Sequence, residues 1–231
     1  MIHVTGDLHG NFDIHKISTR KFPEQKAMIK NDYVIIAGDA GVVWDNGGQD
    51  RYIQKYLNNK NFTLLFIDGN HENHDLIDAY PVSEWNGGQV HKITDSIIHL
   101  MRGQVYMIEG IKIFTFGGAT SIDKAYRKEG VSWWARELPS LEECVEGLNN
   151  LEKHAWQVDY IITHDCSDRM FDKLAKSHLF LNGKTKTQLS AFLEELETHV
   201  KYKKWLWGHY HDDLDIDDKH TLLYQKLVRI I

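Results

Sequence analysis

Strand-sized runs of apolar residues, each ending in a polar turn, recur along the chain. They lie at residues 2–5, 33–37, 62–67, 159–163 and 205–207. The run at 33–37 is apolar throughout, which is typical of a strand that is buried on both faces. The pattern therefore predicts five buried strands, each followed by a loop of polar side chains.

Helical patterns separate the first three of these strands. Asn11 is a candidate N-cap for a helix that runs to about Thr19. Between Tyr52 and Leu57, apolar side chains recur at helical spacing and predict a second helix. Strands and helices should thus alternate through the first third of the chain as a β-α-β-α-β unit.

Two capping boxes predict helices in the second half of the chain. Ser140, with Glu143 three residues later, should begin a helix that ends near His154. Thr185, with Gln188 three residues later, should begin another helix, which carries a single apolar stripe.

The middle of the chain is less regular. Residues 85–138 are predicted to be rich in strands. Within them, residues 105–108 and 111–116 should pair as a hairpin, because Glu109-Gly110 is a two-residue connection of the kind that forms tight turns. The tail at 214–231 should add closing strands.

Composition limits the classes to which the protein can belong. With 231 residues and no low-complexity linker, one domain spanning residues 1–231 is expected. The 27 Lys and Arg residues against 33 Asp and Glu residues give a net charge of −6, which does not support a nucleic-acid partner. No apolar run approaches the roughly 18 residues of a membrane span. Two cysteines, and no charged and apolar leader after Met1, predict a cytoplasmic protein.

The polar residues at the strand ends are of types that bind metal ions. They are Asp7, His9, Asp39, Asn70, His71, His164, His209 and His211. A lone histidine at a strand end is more often structural than a ligand, but here carboxylate, imidazole and amide groups recur together. This mixture suits two divalent transition ions that share a carboxylate, and the absence of thiolates argues against a purely structural zinc site.

In their order along the chain, these motifs resemble those of the calcineurin-like metallophosphoesterase family. The motifs are Asp7-x-His9, Gly38-Asp39, Gly69-Asn70-His71-Glu72, Thr163-His164 and Gly208-His209-x-His211. They span nearly the whole chain, and their completeness makes the resemblance specific. The resemblance implies an α/β fold of two packed mixed β-sheets flanked by helices, a four-layer α-β-β-α sandwich.

The resemblance also implies a metal-dependent phosphoesterase and a role for each motif residue. One metal would be held by Asp7, His9, Asp39 and His211, and the other by Asp39, Asn70, His164 and His209. The two divalent ions would be manganese, iron or zinc, and a hydroxide bridging them would attack a phosphomonoester or phosphodiester. His71 would be the catalytic residue that donates a proton to the leaving oxygen or stabilises charge there.

The second motif departs from that of the phosphoprotein phosphatases in this superfamily. They carry Gly-Asp-x-Val-Asp-Arg-Gly, whereas Val42 stands here at the position of their second aspartate, and their arginine is missing. This departure argues against a protein phosphatase. The expected substrate is instead a phosphorylated small molecule or nucleotide.

Substrate contacts are predicted in the loop that follows the hairpin. Arg127 and Arg136 could place guanidinium groups on phosphate oxygens, and Trp133 could lie under a base or sugar. Alternatively, the Trp133-Trp134 pair covers the core or forms a dimer contact.

Two other functions stay open from the sequence. The chain could be a non-catalytic binding module on the same fold, although its motifs have lost no ligand. It could also be a nuclease of the same superfamily, whose binding would weaken steeply with salt. The native metals, the physiological substrate and the oligomeric state are left open.

Overall fold

The computed structural model describes residues 1–176 and 183–231. Its strands are β1 (Ile2–Thr5), β2 (Tyr33–Ile36), β3 (Thr63–Phe66), β4 (Val82–Trp85), β5 (Gly88–Thr94), β6 (Ile97–Leu100), β7 (Gln104–Ile108), β8 (Ile111–Phe116), β9 (Tyr160–Thr163), β10 (Lys204–Trp207), β11 (Leu214–Asp215), β12 (His220–Leu222) and β13 (Val228–Arg229). The α-helices are α1 (Gly48–Asn58), α2 (His74–Asp78), α3 (Leu141–Lys153), α4 (Asp168–Lys176) and α5 (Gln188–His199). The five predicted buried strands are all present, as β1, β2, β3, β9 and β10.

The strands form two mixed sheets. The first has the order β13-β1-β2-β3-β6-β5-β4, and the second has the order β11-β12-β10-β9-β8-β7. In the first sheet β1, β2, β3 and β6 are parallel. In the second, β8, β9, β10 and β12 are parallel. Parallel strands end at the same edge of a sheet, so the polar loops after them are brought side by side.

The two sheets pack face to face, with helices on the outside. Ile35 of β2 shares a buried cluster with Ile162 of β9, which joins the inner faces of the sheets. The next residue, Ile36, lies in a second cluster with Ile53 of α1. On the other side, Phe116 of β8 clusters with Leu193 of α5. This arrangement confirms the predicted α/β fold of two packed mixed sheets flanked by helices.

The predicted hairpin is confirmed as β7 paired with β8. Glu109 and Gly110, which connect the strands, have positive φ angles of 51° and 78°. Two such residues form the type of turn whose twist matches that of the paired strands. Asn86 and Gly87, with φ of 49° and 89°, form the same kind of connection between β4 and β5.

The helix predicted from Asn11 to about Thr19 is wrong. The structure has only a short 3-10 helix at Ile14–Ile17. Asp13, which precedes it, does not cap it, because its carboxylate accepts hydrogen bonds from Tyr224 and Gln225 in the C-terminal tail. A tertiary contact with the tail therefore takes the place of helix capping, and the first β-α-β crossover has no α-helix.

One predicted capping box is confirmed and the other is displaced. Ser140 and Glu143 form both hydrogen bonds of the box at the start of α3. Helix α5 begins after Thr187, not after Thr185, because Thr187 and Ser190 exchange two side-chain hydrogen bonds. The closing strands expected in the tail are present as β11, β12 and β13.

Candidate metal centre

The loops after β1, β2, β3, β9 and β10 converge on two buried carboxylates, those of Asp7 and Asp39. On one side, His211 Nε2 lies 3.0 Å from Asp7 Oδ2. On the other side, His9 Nε2 and His164 Nε2 lie 3.5 and 3.4 Å from Asp39 Oδ2. Residues that are up to about two hundred positions apart are thus within reach of one small ion or pair of ions.

The backbone at four of the predicted ligands is in a conformation that L-residues avoid. The φ angles are 46° at His9, 50° at Asp39, 69° at His209 and 53° at His211. A non-glycine residue in this region costs about 1–3 kcal/mol, and such residues concentrate at functional sites where the surroundings hold them in place. The fold therefore keeps strained backbone at this centre.

Two motif glycines leave room for the converging side chains. A Cβ atom on Gly69 would collide with Asp39 Oδ1, and a Cβ atom on Gly38 would collide with the imidazole of His164. Gly38 also has a φ of 92°, which only glycine adopts easily. These glycines allow the backbone and the ligands to come together without steric conflict.

Hydrogen bonds behind the centre orient the imidazole nitrogens. His164 Nδ1 lies 2.7 Å from Ala37 O, to which only a protonated Nδ1 can donate. His9 Nδ1 is 3.1 Å from a carboxylate oxygen of Asp13. In both rings Nε2 then faces Asp39, and it offers a lone pair to a metal ion once it has lost its proton. This is the usual arrangement behind metal-binding histidines.

Asn70 is oriented by a hydrogen bond on its amide nitrogen. Its Nδ2 donates to Ser121 Oγ at 3.0 Å, which turns Oδ1 toward His164 Nε2, 3.3 Å away. The amide oxygen therefore points into the centre. Ser121 was not identified from the sequence, because it lies 51 residues from Asn70 and belongs to no motif.

The carboxylates and imidazoles shift one another's protonation strongly. Burial raises the pKa of Asp39, but the imidazoles of His164 and His9 outweigh it and hold that pKa well below its usual range. Burial lowers the pKa of His164, but the Asp39 carboxylate raises it to about 9. The same balance raises the pKa of His9 to about 8. The carboxylate of Asp39 is therefore ionised in the folded protein, and positive charge beside it stabilises it.

The donor set fits divalent metal ions. Asp7 Oδ2 is buried and lies 3.0 Å from His211 Nε2, a nitrogen that can itself bind a metal ion. Two groups, Asp7 with His9 and His211, and Asp7 with Asp39 and His164, each hold their ligand atoms within 4.8 Å of one another. Carboxylate oxygens and neutral imidazoles are ligands for manganese, iron and zinc. Here Asp7 belongs to both groups, whereas the sequence resemblance gave the shared role to Asp39.

His209 is in the centre, but its imidazole is engaged elsewhere. Its backbone N donates to Asp7 Oδ1 at 2.9 Å, and its ring centroid is 5.0 Å from that of His164. Its Nε2, however, lies 3.1 Å from the Nζ of Lys184. Burial and this lysine lower the pKa of His209 well below the usual range. Lys184 was not identified from the sequence, because it precedes α5 and lies 25 residues away.

His71 lies at the edge of the centre. Its backbone N donates to Asp39 Oδ1 at 2.7 Å, and its ring centroid is 6.1 Å from that of His9. Arg127 Nη1 lies 2.9 Å from His71 Nδ1. Because a guanidinium only donates, Nδ1 is the acceptor, and the proton of the neutral ring is on Nε2. Burial and Arg127 lower the pKa of His71, although Asp39 opposes them.

The other two residues predicted to contact substrate, Trp133 and Arg136, interact with side chains outside the metal centre. The guanidinium of Arg136 pairs with Asp78 at 3.1 Å and with Glu143 at 2.9 Å. Trp133 lies under the ammonium group of Lys124, 4.9 Å from the ring centroid. Of the three residues predicted to contact substrate, only Arg127 is recorded in contact with a predicted site residue. The roles of Trp133 and Arg136 in substrate binding stay predictions.

A groove of about 650 Å³ opens beside the centre. Three predicted site residues, His9, His71 and His211, line it together with Arg127. Its other lining residues include three aromatic residues and three aspartates, which are Phe12, Trp44, Tyr224, Asp13, Asp45 and Asp50. The volume is in the range of sites for small molecules.

A model of the calcineurin-like phosphoesterase family matches residues 1–213. The protein belongs to this family. Members normally bind divalent metals, and the candidate ligands described above are present in this chain, so family and site together support a metal-dependent phosphoesterase. A search of curated proteins gave no significant match. Among the described residues, no helix of this phosphoesterase is long and apolar enough to cross a membrane.

Proposed function

We propose that this phosphoesterase hydrolyses a phosphomonoester or phosphodiester of a small phosphorylated molecule or nucleotide, with two divalent metal ions. The observation that carries the proposal is the pair of buried carboxylates, Asp7 and Asp39, surrounded by imidazole nitrogens at 3.0–3.5 Å. Asp7 is 0% exposed and Asp39 is 1% exposed, so water cannot solvate the charge of either carboxylate. A buried carboxylate oxygen is costly to leave unpaired, and a cation would satisfy it.

The proposed ligand sets follow the family motifs. One ion is assigned to Asp7, His9, Asp39 and His211, and the other to Asp39, Asn70, His164 and His209. Manganese, iron or zinc would suit these ligands. When bound, two such ions lower the pKa of a water molecule and neutralise the charge of the phosphoryl oxygens.

His71 is the residue proposed to donate a hydrogen bond to the leaving oxygen. With Arg127 on Nδ1, the ring carries its proton on Nε2, which makes Nε2 a hydrogen-bond donor. The backbone hydrogen bond from His71 to Asp39 ties this donor to the metal ligands. A donor at this position stabilises the negative charge that develops as the phosphoester bond breaks.

The walls of the groove favour a substrate with few phosphate groups and a planar part. Phe12 is 83% exposed at its rim, and Tyr224 stacks on His211 with the ring centroids 4.9 Å apart. Such rings can stack on a base or another flat group. Among the described residues that line the groove, Arg127 is the one arginine or lysine. With a single arginine along it, the groove offers few cationic contacts to a longer polyanion such as nucleic acid, which counts against a nuclease.

A panel of phosphomonoesters and phosphodiesters, including nucleotides, tests the proposal. The protein is assayed after metal removal and again with manganese, iron or zinc added. We expect hydrolysis of small esters that depends on added metal, and no cleavage of single- or double-stranded nucleic acid. Metal binding without hydrolysis of any ester would instead identify a binding module on the same fold. Hydrolysis that is equal in the metal-free protein would contradict the proposal.

A further inference from the structure

Lys184 places a cation inside the candidate metal centre. It is in the segment between α4 and α5, and its Nζ lies 3.1 Å from His209 Nε2 and 2.6 Å from His209 O. The ammonium group also lies over the ring of Tyr210, 5.4 Å from the centroid. These three contacts, all with residues of the loop after β10, hold the side chain of Lys184 in place.

An ammonium group fixes the tautomer of the imidazole that it contacts. Lys184 has donors and no acceptor, so His209 Nε2 must accept and the ring proton must lie on Nδ1. Neither nitrogen of His209 is then free to bind a metal ion. A metal ion that binds to Nε2 would have to displace the ammonium group of Lys184. Binding through Nδ1 would move the ring proton to Nε2, where it would face the ammonium group.

The positive charge of Lys184 also acts on the carboxylates of the centre. It interacts favourably with the carboxylates of Asp7, Asp39 and Asp165. Before a metal ion arrives, Lys184 therefore supplies part of the positive charge that these buried carboxylates need. A divalent ion bound at His209 would be repelled by it at short range.

We infer that Lys184 competes with a metal ion for His209, and so makes one of the two metal positions weaker than the other. The inference rests on the proposed two-metal function. The position assigned to Asp39, Asn70, His164 and His209 should fill last, after Lys184 has left His209. The position assigned to Asp7, His9, Asp39 and His211 should fill first.

Two variants separate this role from a purely structural one. Lys184→Met keeps the aliphatic side chain and removes the cation, whereas Lys184→Arg keeps a cation. Lys186→Met is the matched control, because Lys186 is an exposed lysine of the same segment that pairs with Asp172 at 2.8 Å. Loss of a structural contact would weaken metal binding or leave it unchanged, and would not strengthen it.

The test is a calorimetric titration of the metal-free protein with Mn²⁺. In a second measurement, the number of bound ions per chain is determined after dialysis. For the wild type we expect one tighter and one weaker dissociation constant. In Lys184→Met the weaker constant should fall at least about tenfold, since a hydrogen bond to a charged group is lost and no cation opposes the ion. Lys184→Arg and Lys186→Met should resemble the wild type. The metal-free Lys184→Met protein should melt at a lower temperature than the metal-free wild type.

Each outcome decides between the proposals. If the wild type binds two ions, and Lys184→Met has the same or a larger weaker constant, the inference about Lys184 is overturned and the proposed function is untouched. If the wild type and Lys184→Met both bind a single ion, the two-metal function fails, and the inference fails with it. If neither binds metal at concentrations at which both are folded, the two-metal function itself fails, and the inference fails with it.

Discussion

Asp39 and Asp68 are both buried aspartates at the ends of neighbouring parallel strands, yet their surroundings differ. Asp39, after β2, faces the imidazoles of His9 and His164. Asp68, after β3, is bound by the guanidinium of Arg102, with a 2.9 Å hydrogen bond from Nε. Burial raises the pKa of each carboxyl, but its partners hold it well below the usual range.

Imidazoles lie near both carboxylates, since His99 Nε2 is 3.4 Å from Asp68 Oδ1, so the difference is the guanidinium that only Asp68 of the two contacts. Arg102 is fixed at Asp68 and cannot lose its proton, so that carboxylate is permanently paired. Around Asp39 the partners are imidazoles, which give up protons and bind metals. The same residue type, burial and position relative to a strand therefore produce a structural ion pair in one loop and a candidate metal ligand in the next.

Replacing Asp68 tests the structural half of this comparison. In Asp68→Asn the buried guanidinium of Arg102 loses its carboxylate partner, and the free energy of unfolding should fall by about 3–5 kcal/mol. Urea denaturation measures the loss. Asp218→Asn, which removes an exposed carboxylate, should change stability by less than about 0.5 kcal/mol. A loss below about 1 kcal/mol in Asp68→Asn would mean that the two aspartates do not differ as described.

Replacing His71 tests the chemical half. His71→Ala should lower turnover of a poorly activated phosphoester by about a hundredfold, because a donor to the leaving oxygen is lost. Bound metal should stay at the wild-type level, since the side chain of His71 is outside the proposed ligand sets. Unchanged turnover with normal metal content would show that His71 does not act on the leaving group.

Arg127 should have a smaller effect, because it acts on the centre through His71. In Arg127→Ala, kcat/KM should fall by about tenfold, which corresponds to the loss of one charge-assisted hydrogen bond. The effect should be much smaller in the His71→Ala background, where Arg127 has no imidazole to orient. Arg20→Ala, at an exposed arginine, is the control. Equal effects of Arg127→Ala in both backgrounds would indicate that Arg127 contacts the substrate directly.

Asp217 is a third carboxylate with a lowered pKa, but it is exposed. Burial raises its pKa, but hydrogen bonds with Lys173 and His220 together outweigh burial and lower the pKa below the usual range. A lowered folded-state pKa stabilises the protein above the unfolded value of about 4, and this stability is lost as the pH falls below that value. Because solvent screens the group, Asp217→Asn should cost at most about 1 kcal/mol at pH 7. Urea denaturation should show that the difference from wild type shrinks near pH 3; a difference that grew there would contradict this account.

The sequence was most informative where local chain geometry decides the outcome. The strands before Asp7, Asp39 and His164 are continuous apolar runs. The end of each run in the sequence therefore predicts where the strand ends and where its polar loop begins. The β7–β8 hairpin depends on the two adjacent residues Glu109 and Gly110. In each case the determining residues are neighbours in the chain.

Where a feature depends on residues far apart in the chain, the sequence either gave no prediction or gave a wrong one. The contact between Arg127 and His71 spans 56 residues, and that between Lys184 and His209 spans 25. The helix expected after Asn11 fails because Asp13 bonds with Tyr224, 211 residues away. No local pattern indicates such partners, which is why the candidate ligands at the strand ends could be named from the sequence and the groups that surround them could not.

The most direct test of the metal centre is to measure bound metal and ester hydrolysis together in the wild type and in Asp39→Asn. Both proteins are loaded with Mn²⁺ and dialysed, with Asp218→Asn as a control that removes the same charge at the surface. We predict two ions per chain and metal-dependent hydrolysis in the wild type and the control. Asp39→Asn should hold fewer ions and hydrolyse the same ester at least about a thousandfold more slowly. Hydrolysis by Asp39→Asn at the wild-type rate would contradict a reaction that depends on two ions and on Asp39 as one of their ligands.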